Sequence, residues 1–280
     1  MKVVKTIQEV KSIVREWKKE GLSIGFVPTM GYLHEGHGSL IKKAKENSRV
    51  IVSIFVNPMQ FGPSEDLEKY PRDFQRDSKY CEELGVDLIF NPDPQEMYTE
   101  GFCTYVNMSV LTEELCGLSR PVHFKGVCTV VAKLLNITAP DRSYFGEKDA
   151  QQLAIIRRMV KDLNMDVEIV GCPIVREEDG LAKSSRNTYL NSEERRAALI
   201  LSKAISSGRE LTAAGCREAG VLLKNMTETI NQEPLARIDY IKVVDALTMQ
   251  QVEAIDRPVL IAMAVYIGNI RLIDNFSFVP

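Results

Sequence analysis

The chain has 280 residues, 45% hydrophobic and 26% charged, enough for about two domains, each with a core. Its 35 Lys and Arg against 38 Asp and Glu leave a net charge of −3, which excludes a nucleic-acid binder that relies on bulk positive charge. Charges interrupt the opening residues every few positions, and the most apolar run, 259–267, is too short to span a bilayer. Neither a signal peptide nor a membrane partner is therefore expected. Six cysteines lie scattered with no C-x-x-C pair, which reads as reduced thiols in a cytoplasmic protein.

In chain order, Ile7, Val10, Ile13, Val14 and Trp17 mark an amphipathic helix that stops at Gly21. Positions 24–27 read as a strand closed by Pro28, and a polar, glycine-containing turn leads into a helix over 39–46. The run 50–56 is β-branched and apolar on both faces, the pattern of a buried parallel strand. A Pro/Gly loop over 57–72 precedes a helix near 73–84 and a strand at 86–90. The alternation continues with a helix over 126–137, a strand at 143–145, a helix over 149–163 and a strand at 167–170. This strand–helix alternation predicts an α/β fold, a Rossmann-like doubly wound parallel sheet. After Val175 the texture changes to a charged loop, two polar helices near 192–210 and 215–231, and β-rich segments at 238–244 and 259–267. The expected organisation is a nucleotide-binding domain over 1–175 and a smaller α+β domain over 176–280 that closes over the nucleotide.

Only three histidines occur, and two of them share one turn, Pro28-Thr-Met-Gly-Tyr-Leu-His-Glu-Gly-His37. That turn follows a sheet strand, where open parallel sheets bind ligands. Gly31 and Gly36 permit close backbone approach, and the next helix offers free N–H groups. His34 and His37 can then donate to phosphate oxygens. A metal reading of the His-x-x-His pair needs a third protein ligand, and His123 is the only other histidine. Far downstream, Lys183, Ser184, Ser185 and Arg186 combine two cations and two hydroxyls, suited to a triphosphate. The bland alternative is a solvated loop before the capped helix at 191–194. Lys148 and Asp149 suit a phosphate and a ribose, or else belong to an ordinary helix N-terminus with first-turn acids. Gln60, directly after the buried strand, can hold both the carboxylate and the hydroxyl of a small acid. Together these corners predict a nucleotide site where the two domains meet.

The turn 28–37, Phe55-Val-Asn-Pro-Met-Gln-Phe61, Tyr70-Pro-Arg72, Gly146-Glu-Lys-Asp-Ala-Gln-Gln152 and Asp179-Gly-Leu-Ala-Lys-Ser-Ser-Arg-Asn187 resemble the pantoate–β-alanine ligase (pantothenate synthetase) family over essentially the whole chain. That family lies in the nucleotidyltransferase superfamily with class I aminoacyl-tRNA synthetase-like signatures. The resemblance implies a ligase that forms pantoyl adenylate from pantoate and ATP, releases pyrophosphate, and passes the acyl group to β-alanine with release of AMP. It implies an ATP site formed by Met30, Gly31, Tyr32, Leu33, His34, Glu35, Gly36 and His37, by Gly146, Glu147, Lys148 and Asp149, by Val175, and by Lys183, Ser184, Ser185 and Arg186. It assigns catalysis to His37, the family's proton donor, with His34 and Lys148, and pantoate binding to Gln60 and Gln152, Gln60 also lying near β-alanine. Mg²⁺ is implied through the ATP phosphates with no dedicated protein ligand, and the expected assembly is a homodimer.

Three departures from the family pattern carry expectations of their own. Gly38 replaces a larger apolar residue and should loosen the helix start by roughly 1 kcal/mol. Val122 stands where the family has glycine, so a left-handed turn there would be strained. Lys183 replaces Leu or Met and either strengthens the phosphate site or faces solvent. His123 reads as structural. Two other functions remain open on the residues alone. One is a nucleotidyltransferase acting on a phosphorylated cofactor precursor, against which the paired glutamines speak; the other is a nucleotide sensor, which would not need both histidines.

Overall fold

The computed structural model describes every residue except Ser64, which lies within the 57–72 loop. The chain divides into two compact units: the first takes Met1–Met108, Arg120–Glu147 and Ile155–Pro173, the second Ser109–Ser119, Lys148–Ala154 and Ile174–Pro280.

The first unit is built on six parallel strands: β1 (Lys2–Val4), β2 (Ile24–Thr29), β3 (Arg49–Ile54), β4 (Leu88–Phe90), β5 (Arg142–Gly146) and β6 (Glu168–Cys172). They run in the order β1-β4-β3-β2-β5-β6. Helices α1 (Ile7–Lys19), α2 (Glu35–Ala44), α3 (Phe74–Glu83), α4 (Pro94–Met97) and α6 (His123–Thr138) belong to it, as does all but the start of α7 (Ala150–Asp162). Val50, Ile51 and Val52 in β3 are fully buried, as residues apolar on both faces must be when helices cover both sides of a sheet. Val27, Ile41, Val52, Ile89 and Tyr144 share one continuous core. From β2 the chain steps to β3 and β4 on one side and then returns to place β5 on the other. The carboxyl ends of β2 and β5 therefore form the topological switch point.

The second unit holds α5 (Cys116–Ser119), α8 (Ser192–Ala197), α9 (Leu199–Ala213) and α10 (Ala219–Ile230) with the antiparallel sheet β7 (Ala236–Asp245), β8 (Val259–Ile267) and β9 (Ile270–Phe278). Its core joins Leu201, Leu222 and Met226 from the helices to Val243, Ile261 and Phe276 from the sheet. Two earlier segments group with it because Gln151 ties them together. Its Nε2 donates to Leu111 O (2.9 Å) and Glu114 O (2.7 Å), and its Oε1 accepts from Cys116 N (3.0 Å). Lys242 then pairs with Glu114 at 2.7 Å. A single cut at 175 places those segments in the other unit.

Four further details differ from the sequence reading. Strand β1 escapes the periodicity argument because three residues are too few to show a period. Strand β9 escapes it because Asp274 and Asn275 interrupt the apolar alternation while buried. The region expected as one helix over 192–210 is α8 and α9, joined at Ala198. Val122 lies at φ −92°, ψ −13°, so the turn before α6 needs no left-handed residue and carries no strain. No described helix is long and apolar enough to cross a membrane.

Candidate active site

The helix after β2 begins at Glu35, four residues earlier than its apolar pattern indicates, and this changes what the two histidines are. His34 is the N-cap of α2 and His37 its third residue. His34 Nδ1 accepts from Gly36 N at 3.1 Å, and His37 Nδ1 accepts from His34 N at 3.3 Å. This is a capping box with imidazoles in place of the usual hydroxyl and carboxylate. An imidazole that accepts through Nδ1 carries its proton on Nε2 in the neutral form. The cap thus fixes the tautomer of both rings, whose centroids lie 4.2 Å apart. Two Nε2–H donors are presented at the positive end of a helix that starts from the switch point.

Helix α3 braces that turn. Asp77, 1% exposed, accepts from Tyr32 N and Leu33 N, both at 2.7 Å. Burial pushes its carboxyl above the ordinary range, with the two amides opposing the rise. Arg76 donates to Leu33 O at 3.0 Å and stacks its guanidinium 4.7 Å from the Tyr32 ring centre. Tyr32 needs this support because its φ is +51°, a conformation non-glycine residues avoid. Gly31, at φ +83°, could not carry a Cβ without pressing on Asp77 and Ile54. One turn further along α3, Tyr80 occupies the space beside Gly38. A Cβ at 38 would overlap its hydroxyl, so the glycine is matched to a neighbour rather than being merely a weak helix former.

Gln60 ends a 3₁₀ turn (Pro58–Gln60) just after β3 and is buried. Its Oε1 accepts from Asn57 Nδ2 at 3.0 Å, and its Nε2 points at Met30 Sδ, 3.2 Å away. Asn57 is itself held by Tyr98 Oη at 2.7 Å and bonds to Gly126 O at 3.2 Å. Met30 from the first turn and Gln60 from the next strand therefore meet in the first unit, at the carboxyl ends of neighbouring strands.

Gly146 and Glu147 leave the end of β5, where a Cβ on Gly146 would meet open space. A 3₁₀ turn (Glu147–Asp149) then leads into α7, whose start carries Gln151 and Gln152. Gln151 is buried and bonded as described above; Gln152 is half-buried in the helix's first turn. The carbonyl of Lys148 accepts from Asn275 Nδ2 at 2.8 Å.

In the second unit the loop from Val175 folds back on itself. Lys183 N donates to Val175 O at 2.9 Å, and Gly180 makes the turn at φ +91°. Arg176 grips buried Asp274 through two bonds, 2.7 and 2.8 Å. Ser184 caps the 3₁₀ turn Ser185–Tyr189 by accepting from Arg186 N at 3.3 Å. The Lys183 ammonium lies 3.1 Å from Glu177, so the added charge is met within its own loop.

The family model described as pantoate-beta-alanine ligase matches residues 2–277. The chain belongs to the pantoate-beta-alanine ligase family. It is 78% identical over its full length to the pantothenate synthetase of Ruminiclostridium cellulolyticum, and it covers all of that protein. It is 58% identical to that of Clostridium botulinum strain Loch Maree, over 99% of each chain. The crystal structure of pantothenate synthetase from Thermus thermophilus superimposes with a TM-score of 0.95 at 45% identity, each chain covered in full. The Francisella tularensis pantoate-beta-alanine ligase, solved with a β,γ-ATP species and β-alanine, gives 0.81 at 39% identity over 99% and 97% of the two chains. As a family member the chain is an ATP-dependent ligase that joins pantoate to β-alanine.

Within this candidate site, the sequence did not single out Asn57, Arg76 or Tyr80, and it left Asp77 without a role. A first-turn acid such as Asp77 is accounted for by the helix macrodipole, so its position alone points to no long-range partner. Arg76 and Tyr80 gave no signal, because what each supports lies more than 40 residues away.

Proposed function

We propose that this chain forms pantoyl adenylate with His34, His37, Lys148 and Lys183–Arg186 on the nucleotide and with Gln60 and Gln152 on pantoate. The supporting observation is the histidine capping box, which turns two imidazoles into fixed Nε2–H donors at a helix N-terminus on the switch point. A pantoate carboxylate oxygen attacks the α-phosphorus of ATP and pyrophosphate departs. The amine of β-alanine then attacks the acyl carbon, and AMP departs with the phosphate oxygen of the broken acyl bond. Negative charge moves along the phosphates in the first step, so donors fixed beforehand stabilise the transition state without reorganising. His37 donates through Nε2–H as that charge develops. Met30 to Gly36 and Gly146, Glu147 and Asp149 line the nucleotide, with Val175 at the base of the second loop. Gln60 presents an amide that can both accept a hydroxyl and donate to a carboxylate, and pantoate carries both groups.

Mg²⁺ enters this reading on the ATP phosphates, its usual carrier. Asp77, whose carboxylate braces the turn, already accepts an amide on each oxygen. The reading includes a cytoplasmic location and a homodimer, the latter testable by sedimentation. The deciding assay supplies ATP, Mg²⁺, pantoate and β-alanine and measures products: AMP and pyrophosphate in equal amounts are expected. ADP with inorganic phosphate would mean an acyl phosphate and refute the adenylate. Without β-alanine, pantoate alone should support exchange of labelled pyrophosphate into ATP.

A further inference from the structure

We propose that His123 and Arg120 are positioning residues for Gln60, with Glu65 holding Arg120 in place; this rests on the reading of Gln60 as a pantoate ligand. The carbonyl of Gln60 ends a 3₁₀ turn, and among the described residues no backbone N–H donates to it. His123 Nδ1 lies 3.1 Å from that oxygen, and Arg120 Nη2 lies 3.4 Å from it. Arg120 Nη1 is also 3.2 Å from His123 Nε2. A guanidinium only donates, so Nε2 must be the accepting nitrogen and the proton must sit on Nδ1, aimed at the Gln60 carbonyl. Glu65 takes Arg120 Nε on both oxygens at 3.1 Å and contacts Nη2 as well. The relay therefore runs from carboxylate to guanidinium to imidazole to one backbone oxygen, with every donor direction determined.

The helix carrying His123 adds a second constraint. Gly126, three residues on and so on the same face of α6, has no room for a Cβ: it would overlap the Met59 carbonyl and approach Gln60 Cα. The α6 backbone thus supports residues 59–60 directly. Gln60 is fixed at its carbonyl by His123 and Arg120 and at its side-chain oxygen by Asn57. His123 accordingly carries the Nδ1–H tautomer, opposite to that of His34 and His37, and acts through Gln60 rather than on substrate.

Two measurements test this. With three histidines in the chain, ¹⁵N imidazole spectra of the unaltered protein at neutral pH resolve each ring. One Nδ1–H ring and two Nε2–H rings are expected; an Nε2–H form for His123 overturns the relay, and this arm needs no variant to fold. In kinetics, His123→Leu should raise the pantoate KM roughly tenfold while the ATP KM stays within about twofold. Glu65→Gln should shift the pantoate KM the same way by less, and His123→Leu should add nothing in a Gln60→Ala background. A common loss in kcat with the pantoate KM unchanged would mean that His123 is only structural. If Gln60→Ala raises the pantoate KM and neither His123→Leu nor Glu65→Gln does, the positioning role fails alone. If Gln60→Ala leaves that KM unchanged, the reading of Gln60 fails.

Discussion

Gly38 sets two magnitudes against each other. Alanine in a helix is favoured over glycine by about 0.5–1 kcal/mol, whereas forcing an extra carbon into a filled space costs about 1–3 kcal/mol. With the Tyr80 hydroxyl in the way the second should win, so Gly38→Ala is expected to lower stability by about 1 kcal/mol. In a Tyr80→Phe background the same change should be neutral or stabilising, which thermal unfolding of the four proteins would show. Glu65 offers a pH-dependent counterpart. Burial works to raise its pKa, but the Arg120 hydrogen bonds and charge overcome that and hold the carboxyl below the usual range. A folded value below the unfolded one means the linked stability is complete above ordinary glutamate pKa, about 4.3, and is lost as pH falls through the depressed folded value. Melting temperatures followed from about pH 6 to about pH 3 should therefore fall less in Glu65→Gln than in the parent. At this scale the sequence marked the glycine-framed histidines by their place in a turn, and the structure adds that they cap α2. The sequence could not be read for Gly38, whose reason is a tyrosine 42 positions later.

At the scale of elements, α2 combines structure and chemistry in the same side chains. His34→Ala removes the cap and should destabilise by roughly 1 kcal/mol, whereas His34→Asn restores a good N-cap without an imidazole. The asparagine variant should therefore keep its melting temperature and still lose rate at saturating ATP. If it regains activity as well, the imidazole is a cap and no more. Helix α3 is the complementary case, since its polar side chains hold the turn by backbone groups and one ring. Arg76→Ala deletes a hydrogen bond to Leu33 and the stacking on Tyr32, so the left-handed Tyr32 loses support. The ATP KM should rise by roughly three- to tenfold with the pantoate KM much less affected, as steady-state kinetics would report. Both helices were visible in the sequence as helices. What the pattern showed was which face is apolar, and the residues that matter here, His34, Asp77 and Arg76, lie at helix starts where periodicity has no grip.

At the scale of the molecule, two units with separate cores should respond separately to damage. Asp274 is almost fully buried in β9, and its fork to Arg176 anchors the loop before Lys183. Asp274→Ala leaves a half-buried guanidinium unpaired, expected to cost roughly 2–4 kcal/mol. Hydrogen exchange should quicken in β7–β9 while β2, β3 and β5 keep their protection; uniform loss would show one cooperative unit instead. The parallel sheet was legible because its central strands are apolar on both faces, a pattern no surface element shares. The edges were not, and the N-terminal one has a practical side. Residues 2–4 are the selvedge of the sheet: Val3 pairs with Ile89, and the residues behind that seam, Leu88 to Phe90, are completely buried. Trimming five residues from the start would open a raw strand edge made of three large apolar residues, an invitation to edge-to-edge association between copies. Any shortened form of the protein therefore has to keep β1 whole, with its pairing to residues 88–90.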